Sequence, residues 1–531
     1  MQEQALCTLL ALGRLSHRDD LAAWAALRGA SRALRAATEH PLFARLLPHQ
    51  RLHFLRLDAA LARHGAALDE SVMGRGKSYT ACALAAANAA AGGKTVIWGP
   101  PSSELNWRRA LAHFGLGADV AEFYSYSRTQ AKHPPYLDSR SGAVDAAWQR
   151  VGLLVLDEVQ ALLGASQRAA ALLRLVRALA PPPRGRVLAI SSTPLRYVEE
   201  SAQLARLLRI VAHDRLGQLN LATRQLELLG LRECFDLCER LDPAFRVPPA
   251  LAGGPYWRAP STSNWTCAQA LHYCLGGVIR EHLFFAMHAP HERRCAPRRT
   301  YDLHWDAALP PEQAYALERG CAALGRAAQQ LSSGALRGNE ALAQLRAALH
   351  AIEAAKVLLF VQLAEHWLRR HARCKVLLMV HASATLEALR EALAPWAPLC
   401  VSSRRGGLAQ RNRVRAQFQA ADGAHRLLIS TVGLLATGCD LDDQSAGGCE
   451  PRIMAISPSS LATDAQQQVA ARVDRLCTSS QAAVFYVWSN VLAERELMQR
   501  LGQRAAAQAL ADASNHAPPT SLAWSQLRQW S

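Results

Sequence analysis

Lysine is nearly absent from this chain. Of 60 basic residues in 531 positions, only Lys77, Lys94, Lys132, Lys356 and Lys375 are lysines. The formal net charge is still +17, so arginine carries the basic character. No run of about 20 apolar residues is free of charge, so no membrane-spanning helix is expected. The start, Met1-Gln2-Glu3-Gln4, has no basic segment leading into an apolar run, so no secretory signal is expected either. The 13 cysteines are scattered, with no C-x2-C pair. Disulfide scaffolds are short and cysteine-dense, so a reducing, intracellular setting is expected. Cys234, Cys238, Cys267, Cys274 and Cys295, with His272, lie in one stretch but lack zinc-finger spacing. Cys234 and Cys238 read as one face of a helix, and core cysteines are expected rather than zinc ligands.

Hydrophobic residues make up 50% of the chain, enough for two or three domains with large cores. The isoelectric point of about 9.7 suits a polyanion partner. An Arg- and Ala-rich coding bias accounts for the charge as well.

Residues 1–40 read as an amphipathic helical segment. Over 41–205, short apolar runs alternate with helical stretches. The runs are Thr95-Val96-Ile97-Trp98, Gly152 to Leu156, and Arg186 to Ile190. Continuous apolar runs between helices predict buried parallel strands in a doubly wound α/β sheet. Residues 206–370 read as a helical insertion. Over 371–495 the rhythm returns, with strands expected at Lys375 to Val380, Arg426 to Ser430, Ile453 to Ile456 and Ala482 to Val487. Residues 496–531 read as a helical tail.

Met73-Gly74-Arg75-Gly76-Lys77-Ser78 has the composition of a phosphate-binding loop. Glycines let backbone N–H groups approach phosphate, and a helix N-terminus attracts anions. Lys77 would neutralise the β- and γ-phosphates of ATP, and the Ser78 hydroxyl would ligate Mg²⁺. Ser71 stands where the loop pattern has its first glycine. About 80 residues later, Leu153 to Leu156 ends in Asp157-Glu158-Val159-Gln160. Asp157 at a strand tip can hold Mg²⁺, and Glu158 can activate water as a general base.

In this order the motifs resemble superfamily 2 helicase-like ATPases, over roughly residues 45–490. Pro48-His49-Gln50 is similar to the element that reads adenine. Ile97 to Trp107 resembles motif Ia, and its Leu105-Asn106-Trp107 ending is similar to the Snf2 branch. Tyr124-Ser125-Tyr126 stands where Snf2 and viral relatives carry a Ser-Tyr element. Asp157 to Gln160 resembles a DExH box, and Ser191-Ser192-Thr193-Pro194 resembles motif III. Ser430-Thr431 with Thr437-Gly438-Cys439-Asp440-Leu441 resembles motif V. Gln468 to Arg475 resembles motif VI, with Ala471 in place of its glycine.

The resemblance implies two RecA-like domains with ATP bound in the cleft between them. Gln50, Gly74, Arg75, Gly76, Lys77, Ser78 and Asp440 would bind nucleotide. Lys77, Asp157, Glu158, Gln468, Arg472 and Arg475 would serve catalysis. Arg472 and Arg475, three residues apart on one helical face, would reach the γ-phosphate as arginine fingers. Ser102, Ser103, Ser125, His381 and Thr431 would touch nucleic-acid phosphates. Arg293-Arg294 through Arg298-Arg299, Arg404-Arg405, and Arg411, Arg413 and Arg415 are further basic clusters. The implied activity is an ATP-driven translocase or helicase, on DNA rather than RNA, working with transcription machinery. Similar chains occur in large DNA viruses, which would place it in nucleus, cytoplasm or virion. The alternative is a DNA-binding transcription subunit that uses ATP as a switch. A small-molecule kinase predicts no second α/β domain.

Overall fold

The structure is a computed structural model that describes residues 43–131, 134–137, 143–164, 166–192, 194, 198–219, 226–246, 260–287, 298–332, 338–402, 408–420, 423–435, 441–445, 450–458, 463–474, 478–491, 494, 496 and 520–529. The expected helical segment 1–40 lies outside these residues, as do Thr193, Arg293, Arg294, Cys295, Arg404, Arg405, Thr437 to Asp440, and Arg475. The chain forms two compact units, one ending at Pro290 and one starting at His291.

The first unit is built on strands β1 (Ala66–Asp69), β2 (Lys94–Gly99), β3 (Ala121–Ser125), β4 (Val151–Asp157) and β5 (Arg186–Ile190). A small antiparallel pair follows, β6 (Gln218–Leu219) with β7 (Leu226–Glu227), and then β8 (Phe284–Phe285). The main sheet is parallel throughout, in the order β3-β2-β4-β5-β1-β8. Side chains alternate between two buried faces. Leu154 and Leu156 join one core with Ala66, Leu68, Val187 and Ala189. Leu153 and Val155 join the other with Ala67, Leu188 and Ile190. Burial on both faces is why these strands read as unbroken apolar runs. Helices Pro48–His64, Lys77–Ala90 and Glu104–Phe114 cover the second face.

The second unit repeats the plan with β9 (Arg299–His304), β10 (Lys375–Val380), β11 (Leu399–Val401), β12 (Leu427–Thr431), β13 (Arg452–Ile456), β14 (Ala483–Trp488) and β15 (Thr520–Ala523). Its parallel order is β11-β12-β10-β13-β14-β9-β15. Val376, Leu378 and Ile429 pack under helices Val357–Arg370 and Ser383–Ala392. Leu377, Met379 and Leu428 pack under Leu408–Gln419 and Thr463–Ala470. The expected fold class, two RecA-like parallel sheets each wound with helices, is what the chain adopts.

Among the described residues, the 206–370 stretch does not pack as one helical body. Leu231, Cys234, Phe235, Leu271 and Ile279 lie in the same core as Leu154 and Leu156 of the first sheet. Leu359, Phe360 and Leu363 lie in the core of the second. Helices Pro311–Ser332 and Gly338–Ala355 pack on each other instead, with Leu317, Leu324, Leu345 and Ile352 in a core of their own. The tail also differs, because 520–523 is an edge strand beside β9 and not helix. No single helix among the described residues is long and apolar enough to cross a membrane. One bent pair passes on composition, Ala343–Ala355 with Val357–Arg370, and its apolar residues sit in the cores of the second unit.

Two of the scarce lysines are buried. Lys356 Nζ lies 2.7 Å from Glu494 and donates to the Val487 carbonyl at 2.9 Å. Lys375 Nζ lies 3.0 Å from Glu450, which also faces Arg452 at 3.5 Å. Removing one partner of such a pair strands a buried charge.

Candidate nucleotide site

Three strands end at one level and bring the site together. Asp69 at the end of β1 pairs in register with Ile190 of β5, and Asp157 at the end of β4 pairs with the same Ile190. Ser191 follows and donates its N–H to the Asp69 carbonyl at 3.0 Å. The two carboxylates therefore flank one strand at the carboxyl edge of a parallel sheet, where such folds bind ligands.

The loop leaving β1 needs its glycines. Gly74 has φ +80° and Gly76 has φ +93°, in the left-handed region that costs other residues energy. A Cβ on Gly76 would also lie 2.1 Å from Gln50 Nε2. Helix Lys77–Ala90 starts directly at this turn. A first helical turn leaves its N–H groups without intrahelical partners, and these form the anion-facing end. Lys77 Nζ donates to the Ser71 carbonyl at 2.6 Å, so the ammonium lies inside the loop.

Gln50 sits behind the loop. Its Oε1 accepts from Leu47 N at 3.0 Å, capping helix Pro48–His64, and its Nε2 donates to the Arg75 carbonyl at 3.1 Å. His49 Nε2 lies 3.3 Å from the same carbonyl. His53 Nε2 lies 3.0 Å from Asp69 Oδ2. Burial alone would raise the Asp69 carboxyl, but His53, Lys77 and Ser71 outweigh it and hold the group below its ordinary value.

Asp157 is held from two directions. Trp107 Nε1 donates to its Oδ2 at 2.8 Å, and the Tyr126 hydroxyl donates to its backbone carbonyl at 2.5 Å. The nearby Ser103 hydroxyl donates to the Pro100 carbonyl at 3.0 Å. Burial, and then the neighbouring Glu158 charge, push the Asp157 carboxyl up to about 6; the Trp107 bond, the Ser103 hydroxyl and the Lys77 charge oppose that rise. Burial likewise pushes the Tyr126 phenol well up, which keeps it a donor. Glu158 has φ +53°, a conformation that costs a non-glycine residue about 1–3 kcal/mol and is found where function requires it. Gln160 Nε2 donates to Glu158 Oε2 at 2.6 Å and fixes the side chain.

Several expected roles change. Ser103 is buried and its hydroxyl is donated to the Pro100 carbonyl, so it is not placed as a nucleic-acid contact. The Ser125 and Ser127 hydroxyls bond each other at 2.8 Å. In the second unit, His381 Nε2 lies 2.9 Å from the Ser457 carbonyl and 3.1 Å from Gln466 Nε2. Gln468 and Arg472 are buried. They do not continue along one helix to Arg475: the helix ends at Ala470, Ala471–Val473 is a 3-10 turn, and Asp474 is extended. The Arg472 carbonyl accepts from Leu441 N at 3.0 Å, tying the motif VI segment to the motif V segment. Arg298 pairs with Asp474 at 3.7 Å. Arg411 and Arg415, four residues apart on helix Leu408–Gln419, share one face, and Arg413 lies off it.

The sequence did not single out Trp107 as a partner of Asp157, nor His53 and Asp69 beneath the loop. Nothing in a linear pattern joins residues 50 positions apart. Three of the cysteines set aside as core residues converge: the Sγ atoms of Cys234, Cys238 and Cys274 lie within 4.8 Å of one another, all buried.

No family model matches the chain, and no curated protein matches it. Solved structures do. Dbp5 of S. cerevisiae, bound to RNA and ADP BeF3, is similar at 10% identity and a TM-score of 0.46, over 91% of this chain and 96% of that one. The SWI2/SNF2 ATPase core of Sulfolobus solfataricus, in complex with dsDNA, is similar at 12% identity and a TM-score of 0.31, over 88% of this chain and 93% of that one.

Proposed function

We propose that this chain is a nucleic-acid-dependent ATP hydrolase of the superfamily 2 type, acting on DNA as a translocase or helicase in transcription or genome processing. The observation that carries the reading is the first unit's edge. A glycine loop with Lys77 inside it and a buried, doubly held Asp157 end adjacent parallel strands on either side of β5. The loop and helix start suit a triphosphate, and the Ser78 hydroxyl and Asp157 carboxylate suit an oxygen-ligated Mg²⁺. When bound, that ion would neutralise phosphate charge. Glu158 would then take the proton of the attacking water, with Gln160 holding its carboxylate in place. Arg472 and Arg475 keep the γ-phosphate role that the motif resemblance gives them, and Asp440 its nucleotide role. The excess of arginine supplies a non-specific attraction to phosphate backbones.

The test is phosphate release with single-stranded DNA, duplex DNA and RNA, each at two salt concentrations. Stimulation by duplex DNA, weakening steeply with salt, is expected. Stimulation by RNA alone would replace the DNA reading. Hydrolysis that no polynucleotide changes would remove the motor reading. Stimulated hydrolysis without strand or triplex displacement would favour a DNA-bound ATP switch.

A further inference from the structure

Ser71 departs from the loop pattern, and the structure gives its side chain a partner. Ser71 is fully buried, and its Oγ accepts the N–H of Met287 at 2.8 Å, across 216 residues of sequence. The same hydroxyl lies 3.4 Å from His53 Nε2. Around this bond the loop and the 280–287 segment are joined residue by residue. Leu68 and Asp69 pair with Phe284 and Phe285, and Glu70 donates its N–H to the Phe285 carbonyl at 2.9 Å. Arg280 Nη2 lies 2.8 Å from Glu70 Oε2, and its Nε donates to Oε1 at 3.2 Å. Both partners of that ion pair are largely buried.

The joined segment is the last part of the first unit before its boundary at Pro290. Lys77, which would meet the phosphates, donates to the carbonyl of Ser71, the residue whose hydroxyl holds Met287. A glycine at 71 would offer the carbonyl but not the hydroxyl. We propose that Ser71, with Glu70 and Arg280, positions the nucleotide loop against the 280–287 segment, so that engagement of Lys77 by phosphate is passed to Met287. This rests on the ATPase reading above.

The test uses the full chain with Ser71→Ala, Ser71→Gly and Arg280→Ala. ATP affinity should change little, because the loop glycines and Lys77 remain. The nucleic-acid-stimulated part of kcat should fall roughly tenfold, the order set by one buried hydrogen bond. Hydrogen exchange at 284–287 should respond to a non-hydrolysable ATP analogue in the wild type and not in Ser71→Ala. A purely structural role would lower the melting temperature and leave that response in place. Wild-type stimulation and exchange response in Ser71→Ala and Arg280→Ala would overturn the proposal. A wild-type chain with no hydrolysis at all would instead remove the ATPase reading beneath it.

A second, independent observation is the cysteine cluster. Cys234 and Cys238 lie one turn apart on helix Leu229–Leu241, and Cys274 comes from Pro260–Gly276 packed against it. At a Zn–S distance of about 2.3 Å, sulfurs of a tetrahedral site stand roughly 3.8 Å apart, so the three thiols need little movement to share one ion. We infer that Cys234, Cys238 and Cys274 hold a zinc ion.

Elemental analysis of the full chain, purified without chelator, should give about one zinc per molecule. Cys274→Ser should abolish it, and Cys267→Ala, on the same helix outside the cluster, should retain it. Cobalt reconstitution should give a thiolate charge-transfer band that disappears in Cys238→Ser. A folded wild-type chain that holds no zinc after reconstitution and gives no such band would overturn the site and leave three core thiols.

Discussion

Lys77→Ala is expected to lower ATP hydrolysis roughly 10²–10³-fold, the loss typical when one preorganised group aimed at developing charge is removed. The expectation rests on where the ammonium sits. Its Nζ is already inside the loop, on the Ser71 carbonyl, and its charge reaches both Asp69 and Asp157. The fold should survive, because Gly74, Gly76 and Gln50 shape the loop without it. Lys77→Arg should not restore the rate, since a planar guanidinium does not replace a compact ammonium in this space. Phosphate release at saturating ATP, with a melting curve as the folding control, measures both. Hydrolysis at the wild-type rate in folded Lys77→Ala would show that the site lies elsewhere.

Asp157→Asn should act in opposite directions on activity and stability. Hydrolysis should be lost, because an amide neither carries the charge nor binds Mg²⁺ as a carboxylate does. Stability at neutral pH should rise. The Asp157 carboxyl titrates at about 6 in the fold against an ordinary value of 3.8. Between those values the folded chain keeps a proton that the unfolded chain has released. The group's favourable contribution is therefore complete below the ordinary carboxylate range and is lost as pH rises through about 6. Above that, the fold carries a buried, ionised carboxylate next to Glu158. A shift of this size corresponds to at most about 3 kcal/mol, so a gain on the order of 1–3 kcal/mol and a few degrees in melting temperature is expected at pH 7.

The same chemistry predicts a proton–metal competition, in which hydrolysis at limiting magnesium falls as pH drops through about 6. Trp107→Phe removes a donor that favours the ionised form, so the acid limb should move to higher pH. An unchanged limb would mean that Trp107 does not control the group. A less stable Asp157→Asn at pH 7 would mean that burial of the charge is not the dominant cost.

Much of this was legible in the residues themselves. Arg186 to Ile190 and Lys375 to Val380 form strands with the bounds their apolar runs suggested. Ala66–Asp69 was not legible as a strand, because its Ala and Leu suit a helix equally and only the pairing with β5 and β8 decides. β9 alternates polar and buried residues although it lies between β14 and β15, and the edge strand β15 is only four residues long, so both patterns resemble loops. The lysine shortage was read as coding bias. Its consequence is positional: Lys77, Lys356 and Lys375 each place an ammonium on a carbonyl at close range, and Lys356 and Lys375 also reach buried carboxylates.

The sequence by itself determined two parallel α/β sheets, the loop from Met73 to Ser78, and Asp157-Glu158 at a strand end. These depend on local periodicity and on short-range chemistry, which a linear pattern records. The tertiary structure alone decided that the described residues of 206–290 belong to the first unit, that Trp107 and Tyr126 hold Asp157, and that the helix carrying Gln468 stops at Ala470. It alone gave Ser71 a reason to differ from glycine. Those facts depend on which side chains meet after the chain has crossed over, and a hydrogen bond spanning 216 residues leaves no trace in spacing.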